Sequence, residues 1–404
     1  MSAPLLLRNA RVYAPAPLGI CHLLLAGGRI AWIGHAPFEL PAALGATIID
    51  LHGLRLIPGL IDGHVHVTGG GGEAGFRSRV PPLPLSRYTR AGITTVVGLL
   101  GTDDVARGTR ELLAGVYALR EEGLSAFGYV GGYHLPPATL TGSVRDDLTF
   151  VEALIGVGEL AISDHRSSQP TLDELLRVAA QAHVAGLMTG KAGIVHLHLG
   201  DGVRGLDLVR QALDGSELPP RVFQPTHVNR RRALFEEALD LARRGCHIDI
   251  TAFPVEEGED AWTATDGLLR YLEQGAPAER VTISSDAGGS LPCFDGEGHM
   301  THMDVGDSGA LMATLRELLA RGLALEDALP PFTANPARLL RLARKGRIEA
   351  GADADLVALD ATGAVHHVIA GGELHVCEGR PVRRGLFETN DNREPGFDVS
   401  KQGR

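Results

Sequence analysis

The sequence predicts an α/β protein, a (β/α)8 TIM barrel joined to a small β-sandwich domain formed by both chain ends. Three observations carry that prediction. From residue 56 to about 345, short apolar runs alternate with amphipathic stretches of helical length, the pattern of repeated strand–helix units around a parallel sheet. Eight such runs occur, which suits a closed barrel. At both chain ends the pattern changes to short β-type segments separated by Gly-rich turns.

Taken in order, residues 1–55 hold LLLRNARVY, CHLLLAGGRIAWIG and ATIIDLHGL, all of β type. Barrel strands are predicted over 56–67, 93–100, 126–133, 154–162, 194–199, 222–227, 247–253 and 281–285. Between them, helices are predicted over 105–122, 172–185 with Thr171 as N-cap, 231–244 and 308–321. Residues 346–386, with GRIEAGADADLVALD and VHHVIAGGELHVCEG, return to the β pattern and are expected to pair with 1–55 as one domain, the barrel filling 56–345. The remainder, 387–404, is polar from Thr389 onward and is expected to be a frayed tail.

Composition narrows the function classes. With 404 residues, 44% of them hydrophobic, the chain can bury a large core. A net charge of -11 argues against nucleic acid or an anionic membrane surface as partner and leaves a small molecule. Apolar runs break well before the roughly 18 to 20 residues that span a bilayer, and the start lacks a basic segment followed by a long apolar one. A cytoplasmic location is expected. Cys21, Cys246, Cys293 and Cys377 show no CxxC spacing, so they suggest neither a disulfide framework nor a thiolate zinc site, and are expected to be buried small hydrophobes.

The residues that can carry chemistry cluster at predicted strand ends. His64 and His66 close the first strand in PGLIDGHVHV, and residues i and i+2 of a strand face one side, so both imidazoles can meet one cation. Alone, HxH equally describes two histidines that merely end a strand. Glu159 lies in the fourth run, His198 ends the fifth, His227 ends the sixth and Asp286 ends the eighth. Four imidazoles and two carboxylates at one barrel mouth suit two divalent metals, and nitrogen and oxygen donors favour zinc. For single members a structural role stays open: His196 shares a face with His198, and a buried glutamate can be a paired core charge.

With these ligands in place the sequence resembles the amidohydrolase superfamily, whose signature is HxH on strand one, a bridging residue on strand four, histidines on strands five and six, and Asp on strand eight. Within it, GGGGEAG (69–75), VVGLLGTD (96–103), Tyr133 with His134, TGSV (141–144), AISDHRS (161–167), PTHVNR (225–230), IDIT (248–251) and SSDAGGSLPCFD (284–295) resemble isoaspartyl dipeptidase segments in order, over nearly the whole chain. The resemblance implies hydrolysis of β-aspartyl dipeptides by a hydroxide bridging two zinc ions. His64, His66 and Asp286 would hold one ion, His198 and His227 the other. Asp286 would also shuttle the proton, and Tyr133 would donate to the oxyanion. Glu73 would bind the substrate ammonium, Gly71, Thr102 and Ser290 would fix the aspartyl head, and Arg166 and Arg230 would clamp carboxylates. Either arginine also suits a rim charge or a structural ion pair. The implied partner is a zwitterionic dipeptide and the implied assembly a homo-oligomer, up to an octamer. Whether Leu, Arg or another residue follows the β-aspartate is not legible.

One residue departs from the family. Its typical members bridge the metals with a carbamylated lysine on strand four, whereas the matching position here is Glu159, and no lysine lies on any predicted barrel strand. Glutamate offers two oxygens and the same charge on a shorter side chain, so metal separation or occupancy is expected to differ. Loss of the second metal is the alternative. The competing readings are cyclic-amide hydrolysis, one-metal deamination and a non-catalytic homologue. GGGGEAG is not a phosphate cradle, since no GK[ST] follows, and no nucleophile elbow is found.

Overall fold

The computed structural model describes residues 3–37, 39–294 and 300–388. The expected tail from Thr389 onward lies outside the described residues. Six parallel strands form one sheet in the spatial order Phe223–Thr226, Val195–Leu199, Leu154–Ile162, Ser125–Val130, Ile93–Gly98, Leu60–Val65. Ile248–Thr251 and Val281–Ser284 pair in parallel as the seventh and eighth strands. A bridge from Val65 to Ala287, with His66 N donating to Ala287 O at 2.8 Å, brings the eighth unit against the first. Between the sixth and seventh strands the join is made by side chains: Thr226 Oγ1 donates to Asp249 Oδ2 at 2.7 Å, and Asn229 bonds both N and O of Thr251.

These strands are mostly buried on both faces, as helices covering a parallel sheet require; every residue of Leu154–Ile162 is buried. The stretch predicted as one strand over 56–67 is two. Arg55–Pro58 pairs with Leu5–Tyr13 and with Leu356–Leu359, outside the barrel, while Leu60–Val65 begins it. Gly59 marks the crossing, where an added Cβ would lie 2.1 Å from Thr94 Oγ1. The helix predicted over 105–122 starts only at Thr109, because Arg107 is drawn back to bond Thr68 O, Val80 O and Asp103. Helix Leu172–Thr189 carries the capping box of Thr171 with Glu174 and stops at left-handed Gly190.

The two chain ends interleave in one nine-stranded sheet, in which Arg55–Pro58 joins the strands of the N-terminal part to Leu356–Leu359 and the C-terminal strands. This sheet encloses its own core of Leu5, Leu23, Ile30, Leu56, Leu356 and Ile369. Cys21 and Cys246 are buried, Cys377 is only half-buried, and Cys293 lies outside the described side chains. Among the described residues no helix is long and apolar enough to cross a membrane.

Candidate metal centre and active site

The six predicted ligands converge at the C-terminal ends of the barrel strands. His64 and Glu159 stand on strands one and four and His198 on strand five. His66 and His227 follow their strands directly and Asp286 lies two residues past its own, the last two in the left-handed region at φ 57 and φ 55. Such φ values are uncommon outside glycine and concentrate at functional sites.

Glu159 is the hub. Its Oε1 lies 3.5 Å from His66 Nε2, and its Oε2 lies 3.0 Å from His198 Nδ1, 3.4 Å from His227 Nε2 and 3.5 Å from His64 Nε2. Asp286 Oδ1 lies 3.0 Å from His66 Nε2 and 3.3 Å from His64 Nε2. Potential ligand atoms of His64, His66 and Glu159 fall within 4.8 Å of one another, as do those of His64, His227 and Asp286 and those of Glu159, His198 and His227. His64 Nε2 and Asp286 Oδ1 are buried without an aligned hydrogen bond among the described residues. Buried nitrogen and oxygen atoms without an aligned partner fit a cation, and this donor set fits zinc.

The backbone at Glu159 is irregular. Strand four sets Val157 opposite Val195 but Leu160 opposite Leu197, three steps against two, so one extra residue bulges at Gly158 and Glu159. A bulge re-aims a side chain. Gly158 has φ 152, and a Cβ there would stand 2.9 Å from both Cβ and O of His196.

Electrostatics follow from this crowding. Burial pushes the Glu159 carboxyl up, but His64 and His198 override it and hold it well below the ordinary value. Asp286 behaves likewise, its burial outweighed by His64 and His66. Burial disfavours a charged His64, yet Glu159 and Asp286 raise it to about 9. Burial takes His227 and His196 down to about 3. The two carboxylates thus favour the protonated form of His64, and a metal at Nε2 would compete with that proton.

Around the centre, Tyr133 OH lies 2.9 Å from His198 Nδ1, and burial followed by Glu159 raises its phenol well above 10, so it remains a donor. Glu73 Oε1 accepts from Ser290 Oγ at 2.5 Å and lies 3.8 Å from Arg166 Nη1. The other arms of Arg166 are taken: Nε and Nη2 bond Asp164 at 3.1 and 2.8 Å. Arg230 Nη1 donates to Leu199 O at 2.9 Å. Gly71, at φ 72, is pressed to 2.3 Å from Ser78 O at its would-be Cβ, and Thr102 sits half-buried on the loop after strand two.

Sequence reasoning missed several supports. Asp164 Oδ2 holds His198 Nε2 at 3.0 Å, Thr251 Oγ1 holds His227 Nδ1 at 2.8 Å, and His196 Nε2 holds His64 Nδ1 at 2.9 Å. The signal for Asp164 was its place directly after strand four in AISDHRS; Thr251 carried none.

The Amidohydrolase family profile matches residues 55–375. A β-aspartyl dipeptidase of the thermophilic, keratin-degrading Fervidobacterium islandicum AW-1, solved with β-Asp-Leu, is 42% identical over 97% of this chain and 100% of that one, with a TM-score of 0.87. A second structure of β-aspartyl dipeptidase from the same organism is 40% identical, with the same coverage and a TM-score of 0.85. A deacetylase of Agrobacterium fabrum is 27% identical over 89% of this chain and 84% of its own length.

Proposed function

The chain belongs to the amidohydrolase family, and on that premise we propose that it is a zinc dipeptidase releasing aspartate and an amino acid from β-aspartyl (isoaspartyl) dipeptides. The observation that supports this most is the hub geometry: one buried carboxylate turns its two oxygens toward different histidines, beside a protonated tyrosine and a Glu73–Arg166 pair. The Fervidobacterium enzyme solved with β-Asp-Leu adds the substrate class.

His64, His66 and Asp286 would hold one zinc ion and His198 and His227 the other, with Glu159 between them. Bound there, zinc supplies Lewis acidity and brings water deprotonation into the neutral range. The residues do the rest. Asp286, held ionised by His64 and His66, accepts the proton of the attacking water and hands it to the leaving amine. The Tyr133 phenol donates to the oxyanion as it forms. Glu73 exchanges its distant contact with Arg166 for the substrate ammonium, while Gly71, Thr102 and Ser290 fix the aspartyl head. With two arms spent on Asp164, Arg166 offers Nη1 to a carboxylate, and Arg230 supplies the second clamp. A small dipeptide charged at both ends matches this set. A cytoplasmic homo-oligomer, up to an octamer, completes the proposal; a monomer in size-exclusion chromatography would remove the assembly part.

The test is an assay of metal-stripped, zinc-reconstituted protein on β-Asp-Leu, β-Asp-Arg and α-Asp-Leu, with zinc counted in the same samples. Cleavage of only the β-linked peptides at about two zinc per chain is expected. No turnover with one zinc or none would overturn the proposal and favour a one-metal reaction or a non-catalytic role.

A further inference from the structure

We infer that Asp249, on the seventh barrel strand below the centre, fixes the tautomer of His64 through Thr282, Gln224 and His196 and so acts as a remote positioning residue for zinc. The inference rests on the metal-centre reading above. Asp249 is buried, and three hydroxyls reach it: Thr282 Oγ1 at 2.5 Å on one oxygen, Thr226 Oγ1 at 2.7 Å and Ser284 Oγ at 2.5 Å on the other. A carboxylate only accepts, so each hydroxyl spends its single proton there.

That fixes every later bond. Thr282 Oγ1 has only lone pairs left for Gln224, which therefore turns its Nε2 to Thr282 at 3.1 Å and its Oε1 to His196 Nδ1 at 3.0 Å. Facing an amide oxygen, His196 must carry its proton on Nδ1, which leaves Nε2 bare. That bare nitrogen lies 2.9 Å from His64 Nδ1 and accepts its proton. His64 consequently keeps Nδ1–H and aims Nε2 at the centre, where Glu159 and Asp286 lie 3.5 and 3.3 Å away. Were the terminal group a donor, every bond could reverse, and His64 would point N–H at the cation. Hydrogen bonds to the far nitrogen set which nitrogen of a ligand histidine is bare. Tyr129 stacks on His196 at 5.2 Å between centroids and holds the ring plane through which the relay passes.

A network serving only as core packing would tolerate either polarity. The deciding comparison is Thr282→Val, which keeps the volume and loses the hydroxyl, against Thr282→Ser, which keeps the hydroxyl, read as zinc affinity by chelator competition. For Thr282→Val, one of the two zinc ions should bind tenfold to a hundredfold more weakly, while Thr282→Ser should hold both as the unmodified protein does. If Thr282→Val holds both zinc ions at unchanged affinity, the inference is overturned. Should Thr282→Val not fold, Asp249→Asn, whose amide can donate to Thr282 Oγ1 and so let every later bond reverse, must weaken zinc binding in the same assay; unchanged affinity would overturn it too. An unmodified protein that binds no zinc would instead bring down the metal-centre reading, and the inference with it.

Discussion

Replacing Gly158 with alanine asks whether the backbone, rather than the side chain of Glu159, places the central carboxylate. The new Cβ would meet His196 Cβ and O at 2.9 Å. Carbon atoms in ordinary contact stand about 3.5 to 4.0 Å apart, so strand four must retreat by roughly 0.6 to 1 Å. Glu159 threads its two oxygens among four imidazoles at 3.0 to 3.5 Å and has little room to follow. A misplacement of about 1 Å costs about 10²-fold in rate. The φ of 152 adds backbone strain of about 1 to 3 kcal/mol, and overpacking adds about 1 to 3 kcal/mol more. Gly158→Ala should therefore be destabilised by about 2 to 6 kcal/mol in denaturant melts, hold less than the full zinc complement, and turn over β-Asp-Leu about 100-fold more slowly. A variant with full zinc content and a kcat within about threefold of the unmodified enzyme would refute the reasoning.

Two further outcomes follow from the site. Tyr133→Phe should lower kcat by about 10² to 10³ with KM nearly unchanged, as expected for an oxyanion donor; an unchanged kcat would remove Tyr133 from the chemistry. In the metal-stripped protein His64 is raised from 6.5 to about 9, so its stabilising charge is fully present below about 6.5 and is lost as pH rises through about 9. The thermal midpoint of stripped protein should fall across that window, and zinc addition near neutral pH should release protons in a pH-stat; zinc uptake without proton release would contradict the arrangement.

The convergence of the candidate ligands was legible because positions at strand ends follow from strand period and barrel topology: HxH at 64 and 66 shows i, i+2 spacing, and His198, His227 and Asp286 close apolar runs. The crossing at Gly59 was not, since a single glycine between two apolar runs reads as one strand until Thr94 is seen against it. The short hairpin of Ser290–Phe294 with Met300–Val305 also escaped, having no alternation of its own before it pairs. Least legible were the supports. Asp164, Gln224, Asp249 and Thr251 are ordinary polar residues in sequence, and their roles arise only when the folded barrel brings Asp164, Gln224 and Thr251 within hydrogen-bond reach of the histidines and Asp249 within reach of Thr282. Arg166 shows the same limit: its residue type suggested a carboxylate clamp, while its neighbour Asp164 takes two of its arms.

Glu159 is best understood together with what surrounds it. Among the described residues, no lysine is free to serve at the centre: Lys191 Nζ bonds Leu148 O and Val151 O, and Lys345 pairs with Asp353 and Asp355 at the far side of the barrel. A carbamate and a carboxylate carry the same charge, so exchanging one for the other leaves the balance of a two-cation site intact and changes only reach. The bulge at Gly158 and Glu159 aims the carboxylate, and Gly158 is the residue type that tolerates both its φ and its contact with His196. Below, Asp62 and Asp249 are fully buried carboxyls whose hydrogen-bond donors are hydroxyls and backbone amides, with no cationic side chain among those donors. Burial raises Asp62 to about 7 and also raises Asp249. Two such groups under a cluster of imidazoles are costly without compensation, and cations at the centre would lower that cost by favouring their ionised forms. The charge of His64, which faces both carboxyls, already acts in that direction.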